Sequence, residues 1–205
     1  DQLDLPRTHV VCGCGGGDAI RAVLPRLLST ARTLVLDADA LNAVSQDPSL
    51  QSLMSRRGAL GRPTVITPHP LEAARLLDCT ASDIQADRLG QAQRLAQRFG
   101  AVVVLKGSGT VVAAPDRVPG INPSGNARLA SAGTGDVLAG LIGVAWWVVI
   151  DVETHQVTGN HALTYVFMAG NGGLVMVDAY PTYVNERVRQ WNAARSTHHR
   201  IAWMA

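Results

Sequence analysis

The sequence predicts an α/β fold: a mostly parallel central sheet with helices on both faces. Two observations carry this. Short apolar runs alternate with stretches of helical period from residue 8 to residue 114, a pattern built as strand–helix–strand units. Polar clusters follow the apolar runs, at Gly13 to Asp18, Asp37 to Asn42, His69 to Glu72 and Lys106 to Thr110. In a parallel sheet such clusters share the carboxyl edge, where ligands bind.

The elements follow in order. Residues 8–12 form a short apolar strand, and Gly13-Cys14-Gly15-Gly16-Gly17-Asp18 turns the chain. Residues 19–28 read as a helix that Pro25 kinks or shortens. Residues 33–37 are the next strand and end in polar groups. A helix over 48–57 is stopped by Gly58. The strand 64–67 ends in Pro68-His69-Pro70-Leu71-Glu72, and a helix begins there and runs to Leu77. Residues 82–99 read as one longer helix, with Ala92, Leu95, Ala96 and Phe99 on one face and Gly100 as its stop. Residues 101–105 are apolar throughout, as in a strand buried on both faces. Lys106-Gly107-Ser108-Gly109 then turns the chain into 110–114, a hairpin partner.

Composition narrows the function. The 205 residues are 47% hydrophobic and 17% charged, with a net charge of +2. That balance argues against a nucleic-acid partner, since the arginines are scattered and Lys106 is the only lysine. No apolar run reaches spanning length, so no membrane partner is expected; residues 144–150 are apolar but short. Three cysteines, Cys12, Cys14 and Cys79, without a Cys-x-x-Cys pair argue against a disulfide framework and a zinc site. Reduced thiols place the expectation in the cytoplasm. The chain opens at Asp1 without Met, so a preceding piece is expected.

After Gly143 the pattern changes. All four tryptophans and all three tyrosines lie beyond it, without a consistent period. Residues 1–143 therefore read as the binding core. Residues 144–205 read as an atypical, poorly ordered tail, a replaced or frame-shifted segment.

The chain is organised around Ala132-Gly133-Thr134-Gly135-Asp136, a glycine loop feeding a helix start. Backbone N–H groups at such a place suit phosphate, and a carboxylate among them can act as a base on a neighbouring hydroxyl. The alternative is a first-turn aspartate that only complements the helix dipole. Lys106 lacks a Walker A context and reads either as a phosphate contact or as an exposed hairpin lysine. His69, fixed between two prolines, and Glu72 suit substrate or Mg²⁺-water contact; the alternative is a helix entry. Asp37 and Asp39 are a strand-end pair near phosphate or metal, or one of them caps the next helix. Gly13-x-Gly15-x-Gly17 imitates a dinucleotide fingerprint, but Asp18 stands where a third glycine belongs.

Four motifs together resemble one family. They are Leu36-Asp37-Ala38-Asp39-Ala40-Leu41-Asn42, Thr67-Pro68-His69-Pro70-Leu71-Glu72, Val104-Leu105-Lys106-Gly107-Ser108-Gly109-Thr110, and Gly125-Asn126-Ala127 running to Gly133-Thr134-Gly135-Asp136. In this order they are similar to the ADP/ATP-dependent NAD(P)H-hydrate dehydratases of the ribokinase-like superfamily, over about residues 10–143. The resemblance implies phosphorylation of the ring hydroxyl of hydrated NADH or NADPH by ADP or ATP, then loss of phosphate. It implies Asp136 as the base, and Gly133, Thr134 and Gly135 as the anion hole. Lys106, Gly107, Ser108, Gly109, Thr110 and Gly135 would hold nucleotide. Gly15, His69 and Asp136 would contact the hydrate, and Glu72 would stand near Mg²⁺. Against the family's pattern the core lacks a first βα section, so the ribokinase-like fold is expected to be incomplete. A related small-molecule kinase, or an inactive fragment retaining nucleotide binding, stays open, as does a homo-oligomer.

Overall fold

The computed structural model describes residues 4–123 and 133–153, with side chains as far as Gly143. Its elements are β1 (His9–Cys12), α1 (Ile20–Thr30), β2 (Thr33–Leu36), α2 (Ala38–Gln46), α3 (Pro48–Ala59) and β3 (Thr64–Ile66). They continue with α4 (Pro70–Leu77), α5 (Ala81–Ala86), α6 (Arg88–Phe99), β4 (Val102–Leu105), β5 (Val111–Ala113), β6 (Gly120–Ile121) and α7 (Thr134–Glu153). The chain divides into two compact units, Asp1–Gly143 and Val144–Ala205. The sheet lies in the first.

The six strands are ordered β1-β2-β3-β4-β5-β6. β1 to β4 are parallel, while β4–β5 and β5–β6 pair antiparallel. Parallel strands stepping always the same way, with right-handed crossovers, put their connecting helices on one face. That face holds α1 to α6. Its core joins Leu34, Leu36, Ile66, Val103 and Leu105 to Leu24, Leu41, Leu50, Leu76, Leu95 and Phe99. The alternate strand residues Val35, Val65, Val102 and Val104 are buried too and belong to the opposite face. The start of α7 lies there. A Cβ on Gly143 would meet Val11 Cγ2 at 2.5 Å, and Ala139 and Ile142 are buried. Helices thus flank the sheet on both sides.

Most elements form where the pattern places them, with instructive exceptions. The helix read over 82–99 is two helices. Asp87 breaks it, because its carboxylate accepts the Gly90 N–H at 2.9 Å and caps α6. Pro25 does not end α1, which runs on to Thr30. Residues 37–42 read as polar groups at a strand end, yet 38–46 form α2, entered through Ala38 at φ 44. Neither Asp37 nor Asp39 caps it with a side chain. On α7, burial falls on Ala139 and Ile142, while Leu138 and Leu141 are half-buried. No described helix is long and apolar enough to cross a membrane. Residues 154–205, the bulk of the expected tail, and the motif Gly125-Asn126-Ala127 lie outside the described residues.

Arg57 locks the amino-terminal ends of this layer. It is 1% exposed. Its guanidinium donates to Thr64 Oγ1 at 2.8 Å and to the carbonyls of Ala31 at 2.6 Å, Pro63 at 3.1 Å and Arg32 at 3.2 Å. Burial, with Arg62 nearby, lowers its pKa to about 10, still charged at neutral pH. Arg57→Ala should strand those acceptors and leave a cavity. Chemical denaturation is expected to show a loss of about 3 kcal/mol. A loss below about 1 kcal/mol would contradict the clamp.

Candidate active site

The carboxyl ends of β1 to β4 bring the predicted clusters together. Asp37 follows β2 and is 1% exposed. Lys106 follows β4, and its Nζ lies 2.6 Å from Asp37 Oδ1. The Lys106 N–H donates to the Pro68 carbonyl at 2.8 Å, tying the β4 end to the β3 end. Gly13, after β1, packs on the same point. A Cβ there would sit 1.8 Å from the Asp37 carbonyl oxygen, and its φ is +126. Only glycine fits that approach.

The loop before α7 completes the group. A Cβ on Gly135 would lie 3.5 Å from Asp37 Oδ2 and 3.6 Å from Lys106 Nζ. Gly135 therefore sits directly beside the ion pair of buried Asp37 and half-buried Lys106. Gly133, at φ 86, turns the chain into α7 and accepts the Val137 N–H at 3.1 Å. Thr134 and Gly135 open the helix, so their backbones stand at the positive end of its dipole. Asp136 is exposed in the first turn. Donor atoms of Cys14, Asp37 and Asp136 lie within 4.8 Å of one another. Burial first, then the charges of Asp37 and Asp136, raise the Cys14 thiol to about 11, so it stays protonated.

His69 and Glu72 form a capping box on α4. His69 Nδ1 accepts from Leu71 N–H at 3.1 Å and Glu72 N–H at 3.3 Å, and Glu72 Oε2 accepts the His69 N–H at 2.8 Å. His69 Nε2 lies 3.3 Å from Glu72 Oε1, and Lys106 Nζ lies 3.9 Å from Oε2. Burial raises the Glu72 pKa, opposed by the His69 N–H bond and Lys106. Glu72 thus caps α4 and stands beside Lys106. Among the described residues, Cys14, Asp37 and Asp136 form the group close enough to share a cation. A thiol makes that set softer than Mg²⁺ selects.

The remaining predicted residues lie around this centre. Gly15 is exposed at φ 65 in the loop after β1. Gly107, Ser108, Gly109 and Thr110 form the turn after Lys106, where Thr110 Oγ1 donates to the Gly107 carbonyl at 2.9 Å. Asp39, set apart from Asp37, accepts the Gly17 N–H at 2.8 Å and so holds the glycine loop.

A family model described as NAD(P)H-hydrate dehydratase matches residues 4–170. The chain belongs to the NAD(P)H-hydrate dehydratase family. The match reaches beyond residues 10–143 in both directions, so the resemblance does not stop at Gly143. An ADP-dependent (S)-NAD(P)H-hydrate dehydratase of Neisseria meningitidis is 48% identical over 144 residues, covering 69% of this chain and 47% of that protein. A bifunctional NAD(P)H-hydrate repair enzyme Nnr of Escherichia coli is 45% identical, covering 64% of this chain and 24% of that protein. The chain thus spans about half the length of the first relative and about a quarter of the second. A crystal structure of the ADP/ATP-dependent NAD(P)H-hydrate dehydratase from Bacillus subtilis, co-crystallized with ATP/Mg²⁺ and soaked with CoA, aligns with a TM-score of 0.58 at 26% identity. That alignment covers 93% of this chain and 60% of the Bacillus one. The ribokinase-like fold expected from the motifs is borne out.

In this NAD(P)H-hydrate dehydratase homologue, one residue at the turn after β4 escaped the sequence reading. Arg88 Nη2 donates to the carbonyls of Leu105 at 3.1 Å, Lys106 at 3.3 Å and Gly109 at 3.3 Å. Gln85 Oε1 braces the same guanidinium at 3.0 Å. A Cβ on Gly107 would come within 3.3 Å of its terminal nitrogens. No local motif marks it, because its partners lie 17 to 21 residues away. Arg88→Ala is expected to speed hydrogen exchange of the 106–110 amides by about tenfold, with Val102–Leu105 unchanged. Equal protection in wild type and variant would show that Arg88 does not hold the turn.

Proposed function

We propose that this chain carries the nucleotide-dependent dehydration of hydrated NADH or NADPH, with ADP or ATP as phosphoryl donor. The observation that carries the reading is the placement of Gly135 beside the Lys106–Asp37 pair, with Asp136 one residue further on. Family membership and the names of the relatives support it.

The chemistry balances as follows. Asp136 takes the proton of the ring hydroxyl while that oxygen attacks the terminal phosphorus of the nucleotide. The phosphoanhydride bond breaks, and ADP leaves from ATP, or AMP from ADP. The ring carbon–oxygen bond then breaks and phosphate departs with the electron pair. Loss of a proton from the neighbouring ring carbon restores the double bond. The protein's share is positioning and charge stabilisation, as in other phosphoryl transfers.

In this reading the backbone at Gly133, Thr134 and Gly135 forms the anion hole. Lys106, the turn Gly107 to Thr110, and Gly135 hold the nucleotide. Gly15 and the half-exposed edge of His69 meet the hydrate. Lys106 adds a positive charge beside the phosphates while keeping Asp37 paired. Mg²⁺ would accompany the nucleotide's phosphates and offset their charge, with Glu72 standing near it.

The test is regeneration of reduced cofactor from hydrated NADH or NADPH, run with ADP and with ATP, with phosphate release followed in parallel. Asp136→Asn is expected to lower kcat by about 10²–10⁴ while leaving nucleotide Kd within a few-fold. Near-wild-type turnover of the variant would overturn the role of Asp136. Nucleotide binding without any turnover in wild type would favour a binding fragment.

A further inference from the structure

A polar cleft of about 450 Å³ opens beside the glycine loop after β1, between α1, α2 and α4. Its wall includes Gly17, Asp18, Arg21, Asp39, Asn42 and Arg75. The loop and the strand end that form this wall also carry Cys14 and Asp37, which converge on Asp136. A dinucleotide reacting at Asp136 uses only its nicotinamide ring there. The rest of the molecule needs a place within reach, and the cleft shares the loop after β1 and the chain after β2 with that centre.

The charges of the cleft are held ready. Arg75 Nη1 donates to Asn42 Oδ1 at 2.6 Å, and Arg21 Nη2 donates to Gln46 Oε1. Both partners are neutral amides, and among the described residues neither arginine forms an ion pair. Each guanidinium is therefore oriented by a neutral partner, with Asp47 close enough to feel the charge of Arg21, and each has further N–H groups for a phosphate oxygen. Asp18 and Asp39 supply acceptors in the same cleft. Asp39 is fixed by the Gly17 N–H, which leaves its second oxygen to receive a hydroxyl. A bare anion would suit the arginines and be repelled by the carboxylates. A sugar phosphate satisfies both, with phosphate on the guanidinium groups and ribose hydroxyls on the carboxylates.

We infer that this cleft binds the ribose-phosphate part of the dinucleotide, the half remote from the nicotinamide. The inference rests on the dinucleotide being the substrate. It makes Arg21 and Arg75 binding residues of the hydrate subsite, separate from the nucleotide subsite at Lys106.

Calorimetric titration of ADP-ribose into the full chain tests it, with a non-hydrolysable ATP analogue at saturation so that the nucleotide subsite is filled. One ADP-ribose is expected to bind, and adenosine is expected not to displace it. Arg75→Ala and Arg21→Ala should each weaken ADP-ribose binding by about tenfold while leaving the Kd of the ATP analogue unchanged. Both side chains are exposed, so the fold should survive either change. No ADP-ribose binding under saturation, or unchanged affinity in both variants, would overturn the cleft. This readout needs no turnover, so a chain that fails to regenerate the cofactor still tests it. Conversely, a chain that regenerates the cofactor with unchanged hydrate KM in both variants would reject the cleft and leave the proposed reaction standing.

Discussion

Asp37 carries a carboxylate at 1% exposure, and Lys106 Nζ at 2.6 Å from Oδ1 is its counter-charge. Burying either charge alone would cost several kcal/mol. Together they tie the end of β2 to the end of β4, although 69 residues separate them in sequence. The rest of the site is arranged on this pair. The Asp37 carbonyl excludes any side chain at Gly13, Gly135 closes from the α7 side, and Glu72 faces Lys106 at 3.9 Å. The lone lysine of the chain is thus a strut between two strand ends.

A second layer of backbone fixation surrounds the pair. The capping box of His69 and Glu72 sets the entry of α4, Asp39 holds Gly17, and Arg88 gathers the carbonyls after β4. Each of these polar side chains bonds to backbone at a loop. A parallel sheet leaves its carboxyl edge to irregular chain, and irregular chain needs such bonds to keep one shape. A ligand meeting that edge then finds donors already oriented, which lowers the entropy lost on binding.

Much of this was legible in the sequence because the signals were local. The strands 8–12, 33–37, 64–67 and 101–105 showed as apolar runs, and α6 as the spacing of Ala92, Leu95, Ala96 and Phe99. The turn at Lys106 and the hairpin after it followed from two glycines between β-rich runs. What was hidden depends on distant partners. Asp87 interrupts a helical period by bonding to its own backbone, which periodicity does not register. Asp37 and Lys106 are each ordinary in sequence and become a unit only in space. Arg88 lies inside a run that reads as an amphipathic helix, and its reach across the sheet edge leaves no pattern. Glu72 fitted two roles from sequence, and the capping box it forms with His69 is the helix-entry one.

The central claim is that the Asp37–Lys106 pair is the constraint on which the site is built. A double-mutant cycle with Asp37→Asn and Lys106→Met, read by chemical denaturation, tests it most directly. Lys106→Met alone should cost about 3–5 kcal/mol, because it strands the buried carboxylate. The double variant should be more stable than the sum of the single changes implies, with a coupling energy of about 2 kcal/mol or more. Effects that add within about 0.5 kcal/mol would contradict the account.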